Sequence, residues 1–416
     1  MPSMAPTKLL SKAPSNAPSM QPSKTPSMAP TKLPSNMPSN APSKQPSNIP
    51  TTQPAFTALS DTPTLKDALK AWCEGDTARD QVQARYGPIG SWNVTAVTNM
   101  DYLFQDTSVE DAPIDTPLVN CNPPIGDWDT SAVESMVGLF QGMRAFNQPI
   151  GKWRTGRVKD MSGTFEVAAS FDQRLDDWDV SKVTAMTSMF SGTAAFNQQL
   201  GKWDGKSRAL LFLAGGPVSP RLVVSDPPPP VAVSQVTTMS SMFAYSSFNQ
   251  PLQSWKTSSL TALSYMWNQN VNFNQPIDEW QTAKVTTLEG AFLGASSFNQ
   301  PIGNWDVSQV RSLAYMMNGA LAFDQPLGSW ETGRVSFFQY AFFNCKRFNQ
   351  PLASWNTAKA VSMEYMFNSA RAFNQKLCWN RSEVNAKNIF IGSGCLGPIL
   401  SQAVCWGSGA WPGACT

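Results

Sequence analysis

No histidine occurs anywhere in the 416 residues. The commonest general base and the commonest metal ligand are therefore missing. Nucleophile arrangements of the Ser-His-Asp and Cys-His kind are excluded. No C-x-x-C pair is present, so zinc has no ligand spacing to use. Charge is scarce, at 14% of residues. Residues 1–54 hold five lysines and no acid, so the net +2 of the chain conceals about −3 over the remainder. A near-neutral body offers no cationic footprint to nucleic acid. No run of 18 apolar residues exists, the longest being Ala209 to Ala214, and no membrane span is expected. The N-terminus lacks the apolar core of a secretory signal. Met1 opens directly into a repeat, as in a chain whose start lies upstream. Gly205-Lys206-Ser207 lacks the upstream glycine of a phosphate loop. No acid, base and nucleophile come together, so neither a cofactor nor an enzyme activity is expected.

What the chain does have is repetition. Proline recurs every four residues from Pro14 to Pro30 and again from Pro34 to Pro54, usually followed by Ser or Thr. Proline fixes φ, removes a donor and pushes its predecessor to extended geometry. Residues 1–54 therefore read as a disordered, polyproline-like stalk. It is either a plain spacer or a modified stalk that contacts a cell wall or mineral. Residues 55–90 read as a helical N-terminal cap. Thr64-Leu65-Lys66-Asp67 resembles a capping box, followed by Leu65, Ala68, Leu69 and Trp72 at helical spacing. Asp76 opens a second helix that Gly87 and Pro88 stop.

From residue 91 to 377 the period is 25. Trp128, Trp153, Trp178 and Trp203 keep it, as do Trp255, Trp280, Trp305, Trp330 and Trp355. Phe146, Phe171 and Phe196 share the register with Phe248, Phe273, Phe298, Phe323, Phe348 and Phe373. One unit buries about six apolar side chains at about 1.5–3 kcal/mol each. Ordering it costs about 1.5 kcal/mol per residue, so a lone coil is unstable. Stacked coils place like over like and share one core. Within a coil, Phe-Asn-Gln-Pro-Ile/Leu reads as a short strand of a parallel ladder. Val-x-x-Met-x-x-Met-Phe has spacings of three and four that suit helical turns. The Trp and Met stripes are core. The Asn-Gln pairs, such as Asn147/Gln148 and Asn299/Gln300, are either a stacked amide ladder or a polar binding face.

Trp-Asp-Val-Ser-Lys-Val-Thr-Ala-Met-Thr-Ser-Met-Phe at 178–190, with Phe-Asn-Gln at 196–198, resembles the BspA-like leucine-rich-repeat surface-protein family. The resemblance covers roughly residues 87–380. It implies a right-handed, leucine-rich-repeat-like solenoid, surface display, and adhesion or ligand binding. The Pro-Ser stalk is similar to tracts in algal surface proteins.

The register breaks twice. Trp92 and Trp128 lie 36 apart, with an acidic, proline-containing loop around Asp106 to Pro117, and Cys121 takes the Phe position. Removing residues 205–232 joins Trp203-Asp204 to Val233-Ser234-Gln235-Val236, restoring Trp-Asp-Val-Ser-Gln-Val. The ends of this segment can be encoded as splice signals. It reads as a retained intron or a disordered loop. Cys378, Cys395, Cys405 and Cys415 crowd residues 378–416, a cysteine-rich C-terminal cap with three possible pairings, in an oxidising compartment. Cys73 and Cys121 are candidates to pair at the other end, and Cys345 reads as a lone core residue. Asn93 and Asn380 head candidate N-glycosylation sequons. The expected function is non-catalytic. The chain reads as an extracellular or cell-surface protein that binds a protein or carbohydrate through its repeats, with cell-wall contact through residues 1–54. The alternatives are a structural wall protein anchored by the stalk and an intracellular scaffold.

Overall fold

The computed structural model describes residues 56–57, 59, 61–105, 118–204, 233–377, 379 and 384–395, all within one unit, Ala55–Thr416. The proline-rich stalk, the loop 106–117 and the insert 205–232 lie outside these residues. So do Cys378, Asn380, Cys405 and Cys415.

The cap consists of α1 (Thr62–Glu74) and α2 (Asp76–Tyr86). Helix α1 starts before the expected capping box. Asp61 is its cap, its carboxylate accepting from the Thr64 backbone N–H at 2.8 Å, and Pro63 occupies the first turn. Proline costs nothing there, because its missing N–H would have had no helical partner. Leu65, Ala68 and Leu69 form the buried face. Helix α2 ends at Gly87, whose φ of 80° allows its N–H to close back on Gln83.

Beyond the cap the chain winds into stacked coils. Ten isolated parallel bridges connect Asn99, Ser135, Asp160, Ala185 and their equivalents through Asn385. Side chains of equal repeat position form continuous columns. Phe146, Phe171 and Phe196 stack with ring centroids 5.9 Å apart at each step. Trp128, Trp153 and Trp178 stack at 6.4 Å, almost parallel. Each indole N–H is also satisfied: Trp153 donates to the Ile125 carbonyl and Trp178 to the Ile150 carbonyl, each in the preceding coil. A buried indole N–H usually finds such a partner, although that of the fully buried Trp267, outside this column, has none.

The expected right-handed, leucine-rich-repeat-like solenoid of short parallel strands with helical turns is corrected by this structure. Among the described residues the only α-helices are the two of the cap, and no strand is formed. The two halves of the repeat also exchange the roles expected of them. Phe-Asn-Gln-Pro-Ile, read as a strand, is linked between coils through side chains. The backbone ladder runs through Val-x-x-Met-x-x-Met-Phe, read as helical. There the N–H groups of Met136, Gly138, Phe140 and Gly142 donate to Asp160, Ser162, Thr164 and Glu166 of the next coil at 2.8–3.1 Å. The intervening Leu139, Gln141 and Met143 close tight turns onto Met136, Gly138 and Phe140. The turns closed by Leu139 and Met143 have a positive φ at their third residue, as type II turns do. Gly138 and Gly142 supply it here, at φ 58° and 78°. A chain that turns every second residue cannot extend into a strand, and its bonds to the next coil preclude a helix.

The insert does not disturb the register. Ala185 bridges to Thr238, Trp203 stacks on Trp255 at 6.2 Å, and Phe196 stacks on Phe248 at 6.1 Å. The coils on either side of residues 205–232 are direct neighbours. A chain deleted of 205–232 is therefore expected to melt within a few degrees of the full chain, since loop closure depends only weakly on loop length. A large loss of stability on calorimetry would show that the insert holds the coils together.

Candidate functional site

The coils present three outward faces. The first carries the amides. Asn274 Oδ1 accepts both the Asn299 backbone N–H at 2.9 Å and the Gln300 side-chain amide at 3.0 Å, and the pattern repeats coil after coil. Asp172 and Asp324 fill the same position, with the Gln350 amide donating to Asp324 at 2.8 Å. A carboxylate substitutes freely because the ladder uses only the acceptor oxygen. These amides serve the stack, satisfying backbone donors in the half that has no ladder.

The second face holds the turns of the Trp-Asp-Val-Ser motif. Asp129 accepts the Ser131 N–H at 3.0 Å, and hydrogen bonds from Ser131 hold its carboxyl below the usual carboxylate range. Asp306 is held down by Ser308 in the same way. Asn93 of the first sequon occupies this turn position and is exposed, its Oδ1 accepting from Thr95 at 3.2 Å (N–H) and 2.7 Å (hydroxyl).

The third face carries the outward residues of the backbone ladder, and here the repeat departs from itself. The bridging column holds Ser135, Asp160, Ala185, Thr238, Ala262, Thr287 and Ser312, and then Phe337. Phe337 is 43% exposed. A shallow cleft lies beside it, lined by Thr286, Thr287, Glu289, Arg311, Ser312, Phe337 and Gln339. Glu289 forms one wall, accepting from the Tyr265 hydroxyl at 2.8 Å and from Ser312 Oγ at 3.4 Å. One patch thus joins a cation, an anion, a flat apolar ring and several hydroxyls, the mixture that fixes a ligand's orientation.

Beside the cleft runs a row of tyrosines in left-handed backbone conformation: Tyr265, Tyr315, Tyr340 and Tyr365 have φ of 56–58°. That geometry costs an L-residue about 1–2 kcal/mol. Tyr315 on Tyr340 and Tyr340 on Tyr365 stack at 4.9 Å. Each such pair returns about 0.5–1.5 kcal/mol. Burial first, then the bond to Glu289, pushes the Tyr265 hydroxyl up to about 12. The folded state thus favours the neutral phenol. The associated stability is complete below the ordinary tyrosine pKa and is lost as pH rises through about 12. Absorbance titration should find this late tyrosine. Glu289→Gln should lower its midpoint yet leave it above the ordinary value, because burial is the larger cause.

Of the residues singled out from sequence, Cys73 and Cys121 are joined by a disulfide, Cys395 is disulfide-bonded, and Cys345 is a buried free thiol. Burial pushes the Cys345 thiol far up, and its Sγ donates to the Met317 carbonyl. None of these lies in the cleft. Arg311, Glu289, Phe337 and Tyr265 were not singled out. Their signal was present only in part: Phe337 stands in a column of small or polar residues, and Arg311 follows four threonines in its own. It becomes readable only once those columns are known to face outward.

Among the described residues no helix is long and apolar enough to cross a membrane. A family model described as "Mycoplasma protein of unknown function, DUF285" matches residues 80–117, 114–210, 230–326 and 301–393. No curated protein and no solved structure matches the chain.

Proposed function

The chain belongs to the DUF285 family, which is the BspA-like repeat family of surface repeat proteins, and from that premise we propose that it is a non-catalytic extracellular adhesion protein that recognises its ligand at the cleft around Phe337. The observation that supports this most is Phe337 itself. A large ring stands 43% exposed in a column otherwise made of small or polar residues, beside Arg311 and Glu289. The core does not need it, because Phe338 fills the buried position next to it. The disulfides of Cys73–Cys121 and Cys395 support an oxidising compartment.

The test is adhesion of the purified chain to wall fractions, matrix proteins and glycans. Phe337→Ser and Arg311→Ser, alone and together, are expected to weaken binding at least tenfold. Their melting temperatures should stay within a few degrees of the parent. Undiminished adhesion by the double variant would remove the cleft from consideration.

A further inference from the structure

We infer that the outer ladder face is a track for a neutral, linear polysaccharide lying along the stack axis; this rests on the reading of the Phe337 cleft as a ligand site.

The track is built from Thr184, Thr237, Thr261 and Thr286, exposed at one repeat position in four consecutive coils. Each hydroxyl donates to the backbone carbonyl of the coil before: Thr184 to Lys159, Thr237 to Thr184, Thr261 to Thr237 and Thr286 to Thr261, at 3.0–3.3 Å. The proton is thereby consumed and the side chain oriented. What remains on each oxygen is acceptor capacity. The row therefore repeats one hydrogen-bond acceptor at every coil step.

The adjacent bridging column is small, with Ala185, Thr238, Ala262, Thr287 and Ser312. Between Thr184 and Thr286 neither column holds a charged side chain; Lys159 and Asp160 stand before that stretch and Arg311 after it. Adjacent coils lie about 4.8 Å apart where their backbones pair, so Thr184 to Phe337 spans roughly 24 Å. That length suits a polymer better than a single sugar. At its end stand the Phe337 ring, which can cover the C–H face of a sugar, and the Arg311 and Glu289 groups, which can bind its hydroxyls.

Other polymers fit less well. A peptide strand adds to free backbone groups. Here the Thr237, Thr261 and Thr286 N–H groups already donate to the preceding coil. A polyanion requires clustered cations. Lys182 and Lys284 at the edge of the track are separated by Gln235 and Ser259 in the intervening coils. A neutral chain of hydroxyls supplies the donors that a row of acceptors needs.

The experiment is affinity electrophoresis and calorimetry of the full chain with neutral glucans and mannans, a sulfated or uronate polysaccharide, and a graded series of neutral oligosaccharides. Binding to a neutral polymer is expected, rising in affinity with oligosaccharide length. It should fall at least tenfold in Thr237→Glu/Thr261→Glu and several-fold in the nearly isosteric Thr237→Val/Thr261→Val, which guards against misfolding. Binding only to the acidic polymer overturns the assignment, as does neutral binding indifferent to both threonine pairs. If no polysaccharide binds while adhesion still depends on Phe337, the polysaccharide is wrong and the cleft stands. If adhesion is indifferent to Phe337→Ser as well, both readings fall.

Discussion

Trp280→Ala is expected to destabilise the stack by about 3–5 kcal/mol, the range for removing a buried aromatic. Trp280 is sandwiched between Trp255 at 6.2 Å and Trp305 at 6.4 Å, with Trp267 tilted against it at 5.6 Å. Its indole N–H donates to the Leu252 carbonyl of the preceding coil at 3.0 Å. Alanine would leave a cavity in the column and take one of two donors from the Leu252 carbonyl, which keeps the Trp255 N–H at 3.1 Å. Stacked repeats touch only their neighbours, so the interface between coils is the cooperative unit. The loss falls on both interfaces of that coil. Denaturant unfolding should therefore lose cooperativity as well as midpoint, with the coils on either side melting separately. Trp280→Phe separates the two contributions. It keeps a stacked ring but removes the donor, whose hydrogen bond is worth about 0.5–1.5 kcal/mol. If the alanine variant lost under 1 kcal/mol and still unfolded in one transition, the columns would not be what couples the coils.

Breaking the Cys73–Cys121 bridge is the second large effect. The bridge ties the last turn of α1 to the coil that precedes Phe146, across a sequence separation of 48. Closing a loop of that length is worth up to ~4 kcal/mol through the unfolded chain. Cys121 occupies the repeat position that Phe146 and Phe171 fill in the following coils. The phenylalanine column thus ends on a covalent link to the cap. Cys73→Ser/Cys121→Ser is expected to expose α1 and α2 to hydrogen exchange at the level of local opening. Coils far from the cap should keep their protection, because stability in a stack is regional. The cap has other holds, with Leu65 and Leu69 buried and the Thr62 hydroxyl on the Asn99 carbonyl. Exchange in α1 unchanged by the double substitution would show that those contacts suffice.

The two variants probe different parts of the stack. Trp280 tests packing along the stack, and the disulfide tests how its end is sealed. Both could be posed from sequence, because Trp spacing and a cysteine at a phenylalanine position were visible there. The cleft could not. Arg311 and Phe337 lie 26 residues apart, and nothing in their local sequence says that they share a face. Glu289 and Tyr265 are likewise joined only by the winding of the chain.

Sequence by itself determined the period, the membership of the core, the amide column and the coils that the insert separates. Burial imprints a spacing on apolar residues, and stacking requires like residues to recur in register. It could not determine the backbone path inside a coil. Spacings of three and four report which side chains turn inward, and a run of tight turns produces them as well as a helix does. The left-handed residues that make those turns are as often Tyr, Ser, Gln or Asn as Gly, so no residue type announces them. Only the tertiary structure decided that path, because the hydrogen bonds that hold it go to the next coil.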